Sequence, residues 1–536
     1  MDKNLFLAVA LSIAVYAAWF GFIEKKIAKS NGAVAAGQVA SNGAPNGNAT
    51  TSGNNATTNG NNGSAANGMP PSASGFADSK LTPAENDSIE SASLGKASLG
   101  IRAHGAAIAS WKFTGPRGVV ELVQSANPGM LSTFPDLAFH RIGKPDELMF
   151  QAERPDKLRV IKEFLPGDSE ATPPAPPRLR VTIENPTGAA RDSGAWTLSV
   201  GPGLGTIPTE EKDNAKLTRA LGLSKGEGGL AGKVDVFKTA GDHPADFRWV
   251  GVDNRYFLAA LLPTEGEFEK VSSFDNHQVL LVAKSAAIAP HDRRVWEVPF
   301  YIGAKGQTWL SRYKLGLERS IDFGFFAQLG RIVLRVLDKI HSATGNWGWS
   351  IIILTMLIQT LMFPATYQSL KATTKMKLLQ PEIAKLQQRH SKDPQRLNAE
   401  MMELYKKHGA NPLGGCLPML VQMPIFYALY TALRNAWELH GASWIFWIHD
   451  LSAKDPFYVL PLLMGGLMFA QNRMNPAVGG DPAQQQMMTF MPVIFTVMFL
   501  NFPSGLVLYW MTNSLVSAVA QLALKDHLAL TPAKRA

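Results

Sequence analysis

From Trp347 to Leu524 the chain is nearly continuous lipid-compatible sequence, broken once by a basic loop of helical pattern. No other feature constrains the fold as much. In hydrocarbon every backbone polar group needs an internal partner, so such a stretch must be helical. Each Gln, Asn or Thr within it must find a partner or a wet cavity. The segments Trp349–Tyr367, Cys416–Trp437, Phe457–Asn472, Met487–Phe502 and Gly505–Leu524 read as five spans. Phe457–Asn472 and Met487–Phe502 have only 16 residues each. Helices of that length reach about 24 Å against a hydrocarbon core of about 30 Å, so they tuck into a bundle or thin the bilayer around them.

The rest of the 536 residues is more polar. A net charge of +9 fits a nucleic-acid binder or the cytoplasmic edges of membrane spans, and the hydropathy favours the second. The lone Cys416 excludes an intramolecular disulfide and offers no zinc-site spacing. Leu5 to Ile23 is an apolar run ending in Trp19-Phe20-Gly21-Phe22, the aromatic border of a retained anchor rather than a cleaved signal. Residues 30–75 are Asn, Gly, Ala, Ser and Thr, which cannot offset their ordering entropy and predict a tether.

Beyond Ser79 the pattern changes to short alternating segments: Leu179–Ile183, Trp196–Val200, Val279–Ala283 and Val295–Tyr301 read as strands between Pro/Gly/Asp-rich turns. A large β-sandwich is expected, with His104, His243 and His291 as ordinary histidines. From Phe323 to His341, Phe326, Leu329, Val333, Val336 and Ile340 form one helical stripe, with Arg331, Arg335 and Lys339 on another face. Just before the first core span, this predicts a helix lying on the bilayer.

The loop Gln368–Gly415 carries nine Lys/Arg against Glu382, Asp393, Glu400 and Glu403, which places it in the cytoplasm. Span parity then puts the tail with Lys525, Lys534 and Arg535 inside and the β-rich region outside. Lys25, Lys26 and Lys29 after the first span argue the other way, but the parity of all later spans rests on the larger loop. Within the loop, Met376, Leu379, Ile383 and Leu386 face Leu397, Met401 and Leu404 as the stripes of a helical hairpin. Asp393-Pro394 supplies a cap, Gly409 a stop, and Pro381 a kink. Its cations Lys377, Lys385, Arg389, Lys406 and Lys407 form either a solvated face or a contact surface.

Thr355 and Gln359 share a helix face, Gln422 lies in the next span, and Asn501, Thr512, Asn513, Ser514, Ser517 and Gln521 follow in the last two. Such residues are either interhelical glue or the lining of a hydrated concavity. No Asp, Glu, Lys or His occupies the middle of a span, which counts against an ion-coupled transporter. A small-solute transporter or channel is the alternative, although five spans do not divide into two inverted halves. A purely structural envelope protein leaves the polar face unexplained.

Gly345-Asn-Trp-Gly-Trp-Ser350, Asn411-Pro-Leu-Gly-Gly-Cys-Leu-Pro418, Gln422-Met-Pro-Ile-Phe-Tyr-Ala-Leu-Tyr430, Trp447-Ile-His-Asp-Leu-Ser452, Phe490-Met-Pro-Val-Ile-Phe-Thr496 and Phe502-Pro-Ser-Gly-Leu-Val-Leu-Tyr509 resemble the YidC membrane-protein insertase family. Trp249 to Pro263 and the anchor–sandwich order resemble its Gram-negative branch. The resemblance implies an inner-membrane insertase and chaperone, not an enzyme, acting alone or with the Sec translocon. Its groove would be open to cytoplasm and lipid. Nascent membrane proteins, the ribosome, targeting factors and lipid are the implied partners, and no cofactor is expected.

Carried onto this chain, the groove comprises Thr355, Gln359, Gln422, Phe426, Tyr509, Trp510 and Thr512. The family's groove arginine falls on Gln359, which hydrogen-bonds but carries no charge. The whole reads as a multi-domain membrane protein. Residues 1–23 are a transmembrane anchor, 24–78 a tether, 79–320 a periplasmic all-β sandwich and 321–345 an interfacial helix. Residues 346–525 are a five-span helical core with a cytoplasmic hairpin over 368–415, and 526–536 a basic cytoplasmic tail.

Overall fold

The structure, a computed structural model, describes residues 88–95, 97–125, 129–226, 232–390, 393–410, 417–474 and 482–529. The expected anchor, the tether, Cys416 and the end of the basic tail lie outside these residues.

The first described region is a large β-sheet domain. Its widest sheet is antiparallel with nine strands, in the order Val234–Phe237, Arg219–Ser224, Phe247–Asp253, Phe257–Leu261, Arg293–Ala304, Arg178–Glu184, Arg159–Leu165, Leu148–Glu153 and His140–Ile142. Alternation sets the register: along Arg159–Leu165 every second side chain is buried. On the wet face Arg180 bonds both Glu163 and Glu297 at 2.8 Å, a cross-strand charge ladder. A four-stranded sheet ordered Thr197–Val200, Val279–Ala283, Phe268–Ser273, Gly241–Pro244 shares the same core. There Trp196 meets Trp296 edge-on at 5.6 Å.

All four strands read from sequence are present. Neither α1 (Glu211–Leu217) nor α2 (Gln307–Arg312) is expected from the residue pattern. Nor did it signal that Lys162 is fully buried, donating to the carbonyls of Gly105, Ala106 and Leu131. Burial holds that ammonium well below the usual lysine range.

The helical core follows: α3 (Ala327–Thr344), α4 (Trp347–Leu378), α5 (Gln380–Arg389), α6 (Pro394–Lys407), α7 (Leu417–Asn435), α8 (Val459–Met474), α9 (Pro482–Phe499) and α10 (Ser504–Ala529). All five expected spans are helices, with shifted ends. By length and composition, Trp347–Leu378 and Ser504–Leu524 suffice to cross a membrane. Pro364, Pro424 and Pro492 lie within helices, as neighbouring helices permit.

One expectation is corrected. Pro381 does not kink a continuous helix. The chain breaks at Leu379, and Pro381 sits in the first turn of α5, where its missing N–H costs nothing. On α3, Val333, Leu334 and Leu337 are buried against α4 and α7, and Val336 and Ile340 of the expected stripe pack beside them half-buried.

The hairpin α5–α6 forms as read. Met376, Leu379, Ile383, Tyr405 and Ala410 make a small core with Met401 and Leu404 beside it. The Asp393 side chain accepts from Arg396 N at 3.1 Å, and Gly409 takes a φ of 58° that suits glycine.

Candidate functional site

At the end of the core nearest the sheet domain, short polar side chains lock the helix starts. Asn346 caps α4, accepting from Gly348 N at 2.9 Å and Trp349 N at 3.2 Å, and its amide reaches the Ser443 and Trp444 carbonyls. Trp444 lies so close to Gly348 that a Cβ there would stand 2.1 Å from the ring. The buried Asp455 accepts from Trp447 Nε1 and the backbone N–H groups of Phe457 and Leu460, organising the start of α8. Ser504 donates to Ala453 O, which ties α10 to the same loop. Asn346, Gly348, Trp447 and Ser504 lie in the family-like motifs, whereas Trp444 and Asp455 lie outside them. The Asn before an apolar run was the legible cue.

Deeper in, the expected groove residues lie on three helices, α4, α7 and α10, and those on α7 and α10 touch one another. Gln422 on α7 donates its amide to the Tyr509 hydroxyl on α10. The Phe426 ring stands edge-on to Trp510 at 5.0 Å, and Trp510 leans on Phe499 at 5.4 Å. Thr512 donates to Leu508 O at 2.8 Å and Thr355 to Ile351 O at 2.7 Å, so both hydroxyls are satisfied within their own helices. Thr355, Tyr509 and Thr512 are buried, while Gln359, Gln422, Phe426 and Trp510 are half-buried. Gln359 and Gln422 are thus the two amide-bearing residues among them, and neither is fully buried. A second polar contact joins α8 to α10, where Gln471 Nε2 donates to Ser514 O at 2.8 Å.

The hairpin cations Lys385, Arg389, Lys406 and Lys407 are exposed and Lys377 is half-buried. They lie on α5, α6 and the end of α4, away from the Gln422–Tyr509 pair in sequence and in fold.

Residues 339–530 match the family model described as "60Kd inner membrane protein", and residues 208–336 the one described as "YidC periplasmic domain". The membrane protein insertase YidC of Endomicrobium trichonymphae is 40% identical over 444 residues, covering 80% of this chain and 83% of that protein. The YidC of Magnetococcus marinus is 46% identical over 281 residues, which is 51% of this chain and 50% of that one. A crystal structure of an active YidC insertase with its first transmembrane domain resolved covers 81% of this chain and 92% of its own, at 17% identity and a TM-score of 0.40.

A broad antiparallel sheet domain joined to an apolar helical core with polar side chains bonded inside it is the build of an inner-membrane protein with a periplasmic domain. The chain belongs to the YidC membrane protein insertase family.

Proposed function

We propose that this insertase passes polar segments of nascent membrane proteins between α4, α7 and α10, and releases their apolar helices sideways into lipid. The observation that carries this reading is the Gln422–Tyr509 hydrogen bond, a neutral polar pair joining two helices within an otherwise apolar cluster. A bond of that kind can exchange partners: Gln422 and the half-buried Gln359 offer both donors and acceptors to a passing polar group. A charged residue at mid-bilayer costs about 2.5–3.5 kcal/mol on insertion scales, and a hydrogen-bonding, water-admitting path lowers that barrier. Apolar burial at roughly 25 cal/mol per Å² drives the helix outward, so no nucleotide or cofactor is required.

In this reading α4, α7, α8, α9 and α10 all cross the inner membrane. The sheet domain is periplasmic, and the hairpin and both termini are cytoplasmic. The short α8, about 24 Å long at 1.5 Å per residue, thins the bilayer beside the path. The exposed hairpin cations meet the arriving nascent chain, with the ribosome, targeting factors and Sec translocon as partners at the membrane. The test is reconstitution: liposomes containing only this protein should insert a small model membrane protein with an acidic or neutral tail. Insertion no better than into protein-free liposomes would end the proposal.

A further inference from the structure

The sheet domain and the helical core meet around one short segment. Just beyond α7, the 3-10 turn Trp437–Leu439 leaves the core and enters the sheet domain. The Trp437 indole lies among Phe113, Tyr256 and Phe257, with ring centroids 5.6, 5.9 and 5.2 Å away, and packs on the sheet domain's own core. Gly115 makes room, since a Cβ there would stand 3.3 Å from the indole.

The next residue, Glu438, lies against the start of α2, where a Cβ on the cap residue Gly306 would stand 3.4 Å from its carboxylate oxygen. His440 leans on Tyr256, the two rings tilted with centroids 5.4 Å apart, and Arg117, at a hairpin tip of the sheet domain, reaches the buried Asp450 at 2.9 Å.

A second tie holds the same helix end. Asn435, the last residue of α7, donates to Asp322 O at 2.7 Å. The Asp322 carboxylate pairs with Arg219 at 2.9 Å, and Arg219 pairs with the buried Asp253, which also holds Lys305 at 2.8 Å. The end of α7 is therefore tied to the sheet domain through the connecting segment at Asp322 as well as directly at Trp437.

We propose that Trp437–His440 is a latch through which the sheet domain sets the position of α7, and with it Phe426. Trp437 and Glu438 are positioning residues for insertion. Beyond Pro424 the helix is unbroken over the roughly 15 Å from Ile425 to Asn435, so a shift at the latched end travels along it as a rigid-body movement to Phe426. No contact between the sheet domain and the polar pair is needed. The inference rests on the insertase reading for its activity readout alone.

The full chain in a Cys416→Ser, Ile425→Cys background tests it in proteoliposomes. Ile425 is half-buried on α7 beside Phe426, so maleimide labelling there reports where α7 sits. Trp437→Ala should speed labelling and slow client insertion, each by roughly tenfold, as loss of a buried aromatic anchor does at interfaces. Trp437→Phe keeps a ring in the box and should restore both. The near-isosteric Glu438→Gln should move labelling in the same direction by less. Unchanged labelling in Trp437→Ala, even with a lowered melting midpoint or slower insertion, would reduce Trp437 to a merely structural residue and overturn the latch. Altered labelling with a wild-type chain that inserts nothing would uphold the latch and sink the insertase reading instead.

Discussion

The amide of Gln422 donates to the hydroxyl of Tyr509 across 87 residues of sequence, binding α7 to α10 inside an apolar cluster. Tyr509 is 1% exposed, so its hydroxyl is available to a client only after this bond opens. Tyr509→Phe keeps the ring and removes the partner. It should lower stability modestly, by the ~0.6–1.7 kcal/mol of an intramembrane hydrogen bond, and slow insertion of polar-tailed clients more than apolar ones. Equal effects on both clients would show that the hydroxyl serves packing alone.

Gln359 separates hydration from fixed charge. Its amide is half-buried, whereas the neighbouring Thr355 hydroxyl is already bonded to its own helix. Gln359→Leu should slow insertion of an acidic-tailed client about threefold to tenfold, and Thr355→Val should add little. Gln359→Arg should leave the neutral-tailed client unaffected. Comparing both clients at matched expression decides it, and an inert Gln359→Leu would return the residue to interhelical packing.

The hairpin can be unpacked without touching the spans. Ile383 is 4% exposed in the small core with Met376 and Tyr405, so Ile383→Asp buries an unpaired carboxylate there. Insertion should fall severalfold while the melting of the remaining helices holds. Normal insertion would show that the hairpin is only a solvated loop.

Sidedness is open to chemistry. In a Cys416→Ser background, cysteines at Lys385 and Ser224 should react with an impermeant reagent from opposite faces of the membrane. Labelling of both from one face would overturn the proposed topology.

Acid should loosen the latch through His440. Burial lowers its pKa from 6.5, the nearby Asp450 raises it and Arg117 lowers it again, so the net shift is downward. The folded state then binds fewer protons than the unfolded one. The stability is full above about pH 6.5 and is lost as pH falls toward the depressed folded value. Glu438 acts oppositely: burial raises its pKa from 4.5, so stability drops as pH rises from there through its folded value. In a Glu438→Gln background, lowering the pH from about one unit above 6.5 to one below should depress the melting midpoint. Adding His440→Gln should reduce that dependence to the part left by His277, whose pKa burial also lowers, and an unchanged dependence would place the titrating group elsewhere.

The sequence by itself determined whatever depends on neighbours a few residues apart. Period-two alternation marked Arg178–Glu184 and Arg293–Ala304 as strands, and unbroken apolar runs marked α4 and α10. The Asp393 cap and Gly409 stop bounded α6, and the run of motifs from Gly345 to Tyr509 identified the family. Which distant side chains meet follows from the assembled fold alone. That Lys162 is buried beneath three carbonyls, that Gln422 finds Tyr509, and that Trp437 enters the box of Phe113, Tyr256 and Phe257 left no local trace. The same limit explains α3: its stripe announced an apolar face, but whether lipid or protein covers that face depends on how α4 and α7 lie against it. Periodicity fixes the orientation of a side chain on its own element. The rotation and approach of packed elements fix its partner, and those emerge only when all the helices and sheets are assembled.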